Sequence, residues 1–74
     1  MNTLNIKNNG YIRVIDLDIG NILKINDEYY TIYSLHKNES NIDVLLRSLN
    51  ESLSNCISGS LSVHDYIEIY IVLL

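Results

Sequence analysis

Residues 66–73 read YIEIYIVL, and this stretch decides the fold class. Apolar side chains recur there at every second position. Four of them fall on one side of an extended chain: Ile67, Ile69, Ile71 and Leu73. The other side carries Tyr66, Glu68, Tyr70 and Val72. A period of two residues indicates a β-strand with one face turned to the core, so we predict a strand over residues 66–73.

The rest of the chain favours the same class. Ile, Val, Thr and Tyr, which have high strand propensity, make up 24 of the 74 residues, whereas Ala, the best helix former, is absent. Turn signals at residues 8–10, 18–21 and 26–28 separate predicted strands at residues 11–17, 20–26 and 29–36, the last two forming a hairpin. We predict one all-β domain over residues 1–74, a small barrel or curved antiparallel sheet of about five strands, with residues 1–9 loosely ordered.

Residues 42–57 fit two interpretations. Apolar side chains at residues 42, 45, 46, 49, 53, 56 and 57 have the spacing of one helix face, which would make the fold α+β with one helix at 42–57. Alternatively, residues 42–49 form a strand, Asn50 and Glu51 a turn, and residues 53–57 a further strand. Ser and Asn are frequent here and are mediocre helix formers, which favours the strands. A loop is expected at residues 58–60.

Residues 20–32 resemble part of the small SH3-like barrels found in KOW-type modules. Gly20-Asn21-Ile22-Leu23-Lys24-Ile25 matches a G-x-x-hydrophobic-x-hydrophobic hairpin, and Tyr29-Tyr30-Thr31-Ile32 matches a following YY-x-I strand. The likeness covers less than half of the chain. It implies a barrel and an association with RNA or the ribosome. The basic loop residues with which such modules reach RNA have no counterpart here.

Charge and motif spacing exclude several classes of function. The net charge is −4, and only five cations are present, so a phosphate backbone is not an expected partner. One cysteine excludes an internal disulfide, and no histidine or cysteine pair has ligand spacing, so no metal or cofactor is expected. His64 and Asp65 are adjacent and would point to opposite faces of a strand, so neither would orient the other beside Cys56. We expect no catalysis.

The N-terminus lacks a signal-like apolar region, and the longest apolar run has six residues, so we expect a cytoplasmic protein without a membrane partner. If the protein is viral, we expect it in the cytoplasm of the host cell. Ile and Asn are abundant while Ala and Pro are absent, as AT-rich coding in low-GC bacteria or their phages would produce.

The six tyrosines and the acidic turns predict a binding surface, because tyrosine supplies a large contact area with a polar tip. The predicted partner-binding residues are Tyr66, Glu68, Tyr70, Asp16, Asp18, Asp27 and Glu28. The predicted self-association residues belong to the apolar C-terminal strand: Ile69, Ile71, Val72 and Leu73. We expect a homodimer.

These features predict a non-catalytic protein-binding module. If it comes from a phage or mobile element, the expected role is to bind and inhibit a host protein through the Tyr/acidic surface. Two alternatives remain open. One is an SH3-like module associated with RNA or the ribosome. The other is a homo-oligomer that sequesters a small molecule or has a structural role.

Overall fold

The computed structural model describes residues 5–50 and 56–73 of the chain. Six strands form one antiparallel sheet: β1 (Asn5–Arg13), β2 (Ile22–Ile25), β3 (Glu28–Lys37), β4 (Asn41–Ser48), β5 (Cys56–Ser62) and β6 (Tyr66–Leu73). Their order across the sheet is β1-β6-β2-β3-β4-β5. Apart from a single turn of 3₁₀ helix at Val14–Asp16, the described residues contain no helix. The all-β prediction is confirmed, with six strands rather than about five.

The turns on both sides of β2 follow the local sequence. Asn26 and Asp27 join β2 to β3 with φ angles of 49° and 66°, the left-handed conformation that Asn and Asp tolerate and that a two-residue hairpin turn needs. In the preceding turn, Gly20 has a φ of 97°, and Asn21 N donates a hydrogen bond to Asp18 O at 3.2 Å. The hairpin and both of its turns therefore form where they were predicted.

The first strand lies earlier than predicted. The prediction of a strand over residues 11–17 is wrong beyond Arg13, where the chain enters the 3₁₀ turn. Val14 and Leu17 are each 1% exposed, and Leu17 N donates to Val14 O at 3.0 Å. The turn places both side chains in the core, whereas an extended chain would send one outward. Residues 5–9, expected to be loosely ordered, belong to β1.

Residues 42–48 lie in β4, so the helix over residues 42–57 is wrong there. Ile42, Val44 and Leu46 are buried while Leu45 is 40% exposed, which is the alternation of a strand. The loop expected at residues 58–60 is also wrong, because β5 continues through Gly59, which is paired with Val44. The predicted turn at 50–51 and the start of the strand predicted at 53–57 involve residues 51–55, outside the described residues.

The sheet curves around one apolar core. Seven buried side chains form its centre: Val14, Leu17, Leu23, Ile32, Ile42, Val44 and Leu46. Half-buried apolar residues from β1, β5 and β6 pack against the same cluster. β1 and β5, the strands at the two edges of the sheet, thus contribute to the same core, so the sheet must be curved. Val63 N donates to Ser40 O at 3.1 Å, and Val14 N donates to Asp65 O at 2.9 Å, which joins segments distant in sequence.

β6 lies inside the sheet, paired with β1 along its length and with β2 at Ile22 and Tyr70. Ile67 and Ile69 pack against the core, as the alternating pattern predicts. Ile71 and Leu73 lie on the same side but are 37% and 46% exposed. Among the described residues, no helix is long and apolar enough to cross a membrane.

Candidate functional site

The candidate site lies on the outer face of the sheet, the face turned away from the core. β6 places Tyr66, Glu68 and Tyr70 there in sequence alternation. Glu68 is paired with Tyr11 of β1, and Tyr70 with Asn8. Two residues lie between Asn8 and Tyr11, whereas only one lies between their partners Tyr70 and Glu68. β1 therefore contains a β-bulge with one extra residue.

This bulge directs Tyr11 to the outer face. Counting alternately from Asn8, an unbroken strand would turn Tyr11 towards the core. Gly10 adopts a φ of 86°, which a residue without a Cβ reaches without strain. The Oδ1 atom of Asn8 accepts a hydrogen bond from Gly10 N at 2.8 Å and holds the bulge in place. The bulge therefore places Tyr11 on the outer face, opposite Glu68 of β6.

An open groove of about 650 Å³ lies between β1, β6 and the β2–β3 turn. We call it the tyrosine groove and define it by six of its lining residues: Tyr11, Lys24, Asp27, Tyr66, Glu68 and Tyr70. Tyr11 and Tyr66 are each 67% exposed, so most of their ring surface is available for contact. The structure brings together four predicted partner-binding residues: Tyr66, Glu68, Tyr70 and Asp27.

The groove has more negative than positive charge. Glu68 accepts a hydrogen bond from Nδ2 of Asn8, which holds its carboxylate in position. The Nζ atom of Lys24 lies 4.0 Å from Oδ1 of Asp27 and 5.6 Å from the ring centre of Tyr29. Two carboxylates thus face one ammonium group that already has neighbours. A cationic ligand is favoured over an anionic one.

Three predicted acidic residues lie outside the groove lining. Asp16 forms an ion pair with Arg13, Nε to Oδ2, at 3.0 Å. The carboxylate of Asp18 accepts a hydrogen bond from Ile19 N at 2.8 Å, within its own turn. Glu28 starts β3 opposite Ile25. Asp16 and Asp18 therefore have local partners.

The predicted self-association residues do not form a free strand edge. β6 has neighbours on both sides, and Ile69 packs against the core. Ile71 and Leu73 expose part of their side chains, while Val72 is half-buried. Association through these side chains stays a prediction. β6 is not an edge strand, because it is paired with β1 on one side and with β2, at Tyr70, on the other.

Among the described residues, Cys56 and His64, the candidate thiol and imidazole, are not brought together. Cys56 begins β5, and His64 follows its other end, so the length of the strand separates them. His36, Asp43 and Ser60 lie in one row across β3, β4 and β5, with the aspartate in the middle. A base that activates a nucleophile must lie next to it, and this row separates them. In the described ranges, no three His, Cys, Asp or Glu residues are grouped to hold a metal ion.

Sequence reasoning missed Tyr11 and Lys24 as groove residues. The Asn-Asn-Gly stretch before Tyr11 indicates a turn in the sequence. It does not indicate a bulge, because a bulge depends on how β1 is paired with β6.

No protein-family model, curated protein or solved structure matches the chain.

Proposed function

We propose that this protein is a non-catalytic binding module whose tyrosine groove receives a basic segment of another protein. One observation carries the proposal. Three tyrosines and two carboxylates, drawn from β1, β6 and the β2–β3 turn, line a single open groove. Surface tyrosines scattered singly need no explanation, but clustered aromatic side chains with a charged rim are typical of binding surfaces.

The chemistry of the groove selects a cationic side chain. A tyrosine ring attracts an ammonium or guanidinium group over its face, and a nearby carboxylate adds charge attraction. The described residues contain two examples of the same chemistry: Lys24 lies 5.6 Å from the ring centre of Tyr29, and Arg47 lies 5.3 Å from that of Tyr33. A partner arginine or lysine between Tyr11 and Tyr66 would make the same type of contact.

The net charge of −4 supports a basic protein partner over a nucleic acid. Complementary charge speeds association and fixes the orientation of the partner, whereas Glu68 and Asp27 would repel a phosphate backbone. A module that covers a basic surface inhibits any partner that needs that surface. A host protein targeted by a phage or mobile-element product belongs to this class of partner.

The proposal is tested by NMR titration of the ¹⁵N-labelled protein with extended peptides containing Arg and Lys, and with matched peptides in which Glu replaces these residues. We expect the basic peptides to shift the amide signals of Tyr11, Glu68 and Asp27, and the acidic peptides to leave them unchanged. Perturbations spread over the whole sheet, or equal effects of both peptide sets, would contradict the proposal.

Matched variants locate the binding site. Tyr66→Ala is expected to weaken binding of the basic peptide about tenfold, because it removes an exposed aromatic contact. Tyr33→Ala removes a tyrosine that is 48% exposed and does not line the groove, and it should leave binding unchanged. Glu68→Gln should slow association more strongly at low salt than at high salt, whereas Glu39→Gln, in the exposed β3–β4 loop, serves as the control.

A further inference from the structure

Within the part of the chain that the structure describes, the outer edge of β5 is open. All seven residues of β5 are paired with β4, from Cys56 opposite Arg47 to Ser62 opposite Asn41, without a register shift. Among residues 5–50 and 56–73, no strand pairs with the other side of β5. Such an edge presents unpaired N–H and C=O groups to which another strand can bind.

The two edges of the sheet differ in their protection. Folded proteins block unwanted pairing at an edge with charges, prolines or bulges. β1, the edge at the opposite end, carries Lys7, Arg13 and the bulge at Gly10. β5 reads CISGSLS and has no charge, no proline and no bulge. By this criterion β1 resists strand addition and β5 permits it.

The sequence of β5 is close to symmetric about Gly59. Ser58 and Ser60 flank it, Ile57 and Leu61 follow outward, and the two ends of the strand are a cysteine and a serine. When two copies of a strand pair antiparallel about a central residue, residues equally distant from the centre become partners. Such pairing would place serine opposite serine on the outer face and Ile57 opposite a leucine on the core face. The strand is therefore complementary to itself.

The conformation of the single chain does not require a glycine at residue 59. Its φ is not in the left-handed range, unlike those of Gly10 and Gly20, and a Cβ atom there would meet Cγ2 of Val44 at an ordinary 4.0 Å. Glycine weakens a strand and marks places where another backbone approaches closely. This second observation points to a neighbour on the open edge of β5.

We propose that two copies of this chain pair through β5, antiparallel and centred on Gly59, to give one continuous sheet of twelve strands. The symmetry axis of such a pair passes through the sheet, so both outer faces lie on the same side. The tyrosine groove is formed by β1, β6 and the β2–β3 turn, away from β5, so both grooves stay accessible. The dimer would present two binding sites to a partner.

The first test uses two variants that differ only at residue 58. In the pairing described, Ser58 of one copy lies opposite Ser60 of the other. The dimer contains two such 58–60 pairs. In S58K/S60K both pairs bring two lysines together, whereas in S58E/S60K both pairs bring a glutamate and a lysine together. In sedimentation equilibrium we expect a wild-type dimer, a dissociation constant raised about tenfold in S58K/S60K, and a value near or below wild type in S58E/S60K. Circular dichroism verifies that each variant is folded.

A disulfide provides a test that does not depend on those variants. In the dimer, Cys56 lies opposite Ser62 of the second copy, within the Cα separation that a disulfide bridges. Ser62→Cys should thus give a covalent dimer under mild oxidation. The wild type should not, because its two Cys56 residues would lie about 20 Å apart, six residues along the strand. Glu39→Cys, in an exposed loop, controls for random cross-linking.

A wild-type chain that is monomeric at every concentration would overturn the proposal. So would a dimer that responds equally to S58K/S60K and S58E/S60K, or equal cross-linking of Ser62→Cys and Glu39→Cys. A monomer that binds an added extended peptide along β5 would also overturn it and assign the edge to a foreign strand. None of these measurements involves the tyrosine groove, so their outcome is independent of the proposed function.

Discussion

Tyr29 and Tyr70 meet edge to face on the outer surface, with ring centres 5.2 Å apart and ring planes at 70°. Tyr29 belongs to β3 and Tyr70 to β6, and β2 lies between these two strands. The contact therefore spans two strands that do not pair. It assigns Tyr70 a role in the fold as well as in the groove, whereas Tyr11 and Tyr66 stay 67% exposed.

The first prediction separates these two kinds of tyrosine. Tyr70→Ala should lower the free energy of unfolding by about 2 kcal/mol, because it removes a half-buried ring and its aromatic partner contact. Tyr66→Ala should change it by less than about 0.5 kcal/mol. Urea denaturation measures both. In a double-mutant cycle, Tyr29→Ala and Tyr70→Ala should show a coupling of about 1 kcal/mol, and additive effects would argue against the ring contact.

A second prediction concerns Asp27, which lines the groove and occupies the hairpin turn with a φ of 66°. Asp27→Gly should raise Tm by about 3 °C, since glycine adopts this conformation more easily. The same change removes a groove carboxylate, so binding of a basic peptide should weaken while stability rises. Asp27→Asn is the control: it removes the charge and retains a residue that tolerates the turn. If Asp27→Gly lowered Tm, the left-handed turn would be in doubt.

The glycines supply a third prediction. Gly20 has a φ of 97° with nothing near the position of a Cβ atom, so Gly20→Ala should lower the free energy of unfolding by about 1 kcal/mol through backbone strain alone. Gly59→Ala should be neutral or stabilising in dilute, monomeric protein, because its backbone suits any residue. Guanidinium denaturation compares the pair, and equal losses in the two variants would contradict the assigned backbone conformations.

The sequence was sufficient for the elements defined by local signals. YIEIYIVL alternates without interruption, and Asn26-Asp27 is a pair that favours a tight hairpin turn, so β6 and the β2–β3 hairpin could be predicted. Residues 14–17 could not, because the 3₁₀ turn is stabilised by the burial of Val14 and Leu17 in a core that distant strands complete.

The candidate site was predictable only in part, for a related reason. Tyr66, Glu68 and Tyr70 share a face by simple alternation on one strand. Tyr11 joins them because a bulge shifts the register of β1 against β6, a partner more than fifty residues away in sequence. Register between distant strands leaves no local pattern, and the groove depends on it.

The ambiguity at residues 42–57 leads to the last prediction. Ile42, Leu45 and Leu46 satisfy a helical period, and Ile42, Val44 and Leu46 satisfy the strand period, so the sequence alone could not separate the two. Residues 42–48 form a strand because β4 pairs with β3 and β5. In that strand the side chains of Leu45 and Leu46 point to opposite faces of the sheet. Leu46 is 2% exposed in the core, whereas Leu45 is 40% exposed on the outer face.

Leu46→Ala should therefore lower the free energy of unfolding by about 3 kcal/mol, which combines lost apolar burial with the cavity left behind. For a domain of this size that is a large part of the total stability, so the variant should be partly unfolded at 37 °C. Leu45→Ala, the same chemical change one residue away, should shift the free energy by less than about 1 kcal/mol. Thermal denaturation followed by far-UV circular dichroism compares the two. Similar losses would indicate that both leucines are buried on a helix face and would contradict the register of β4.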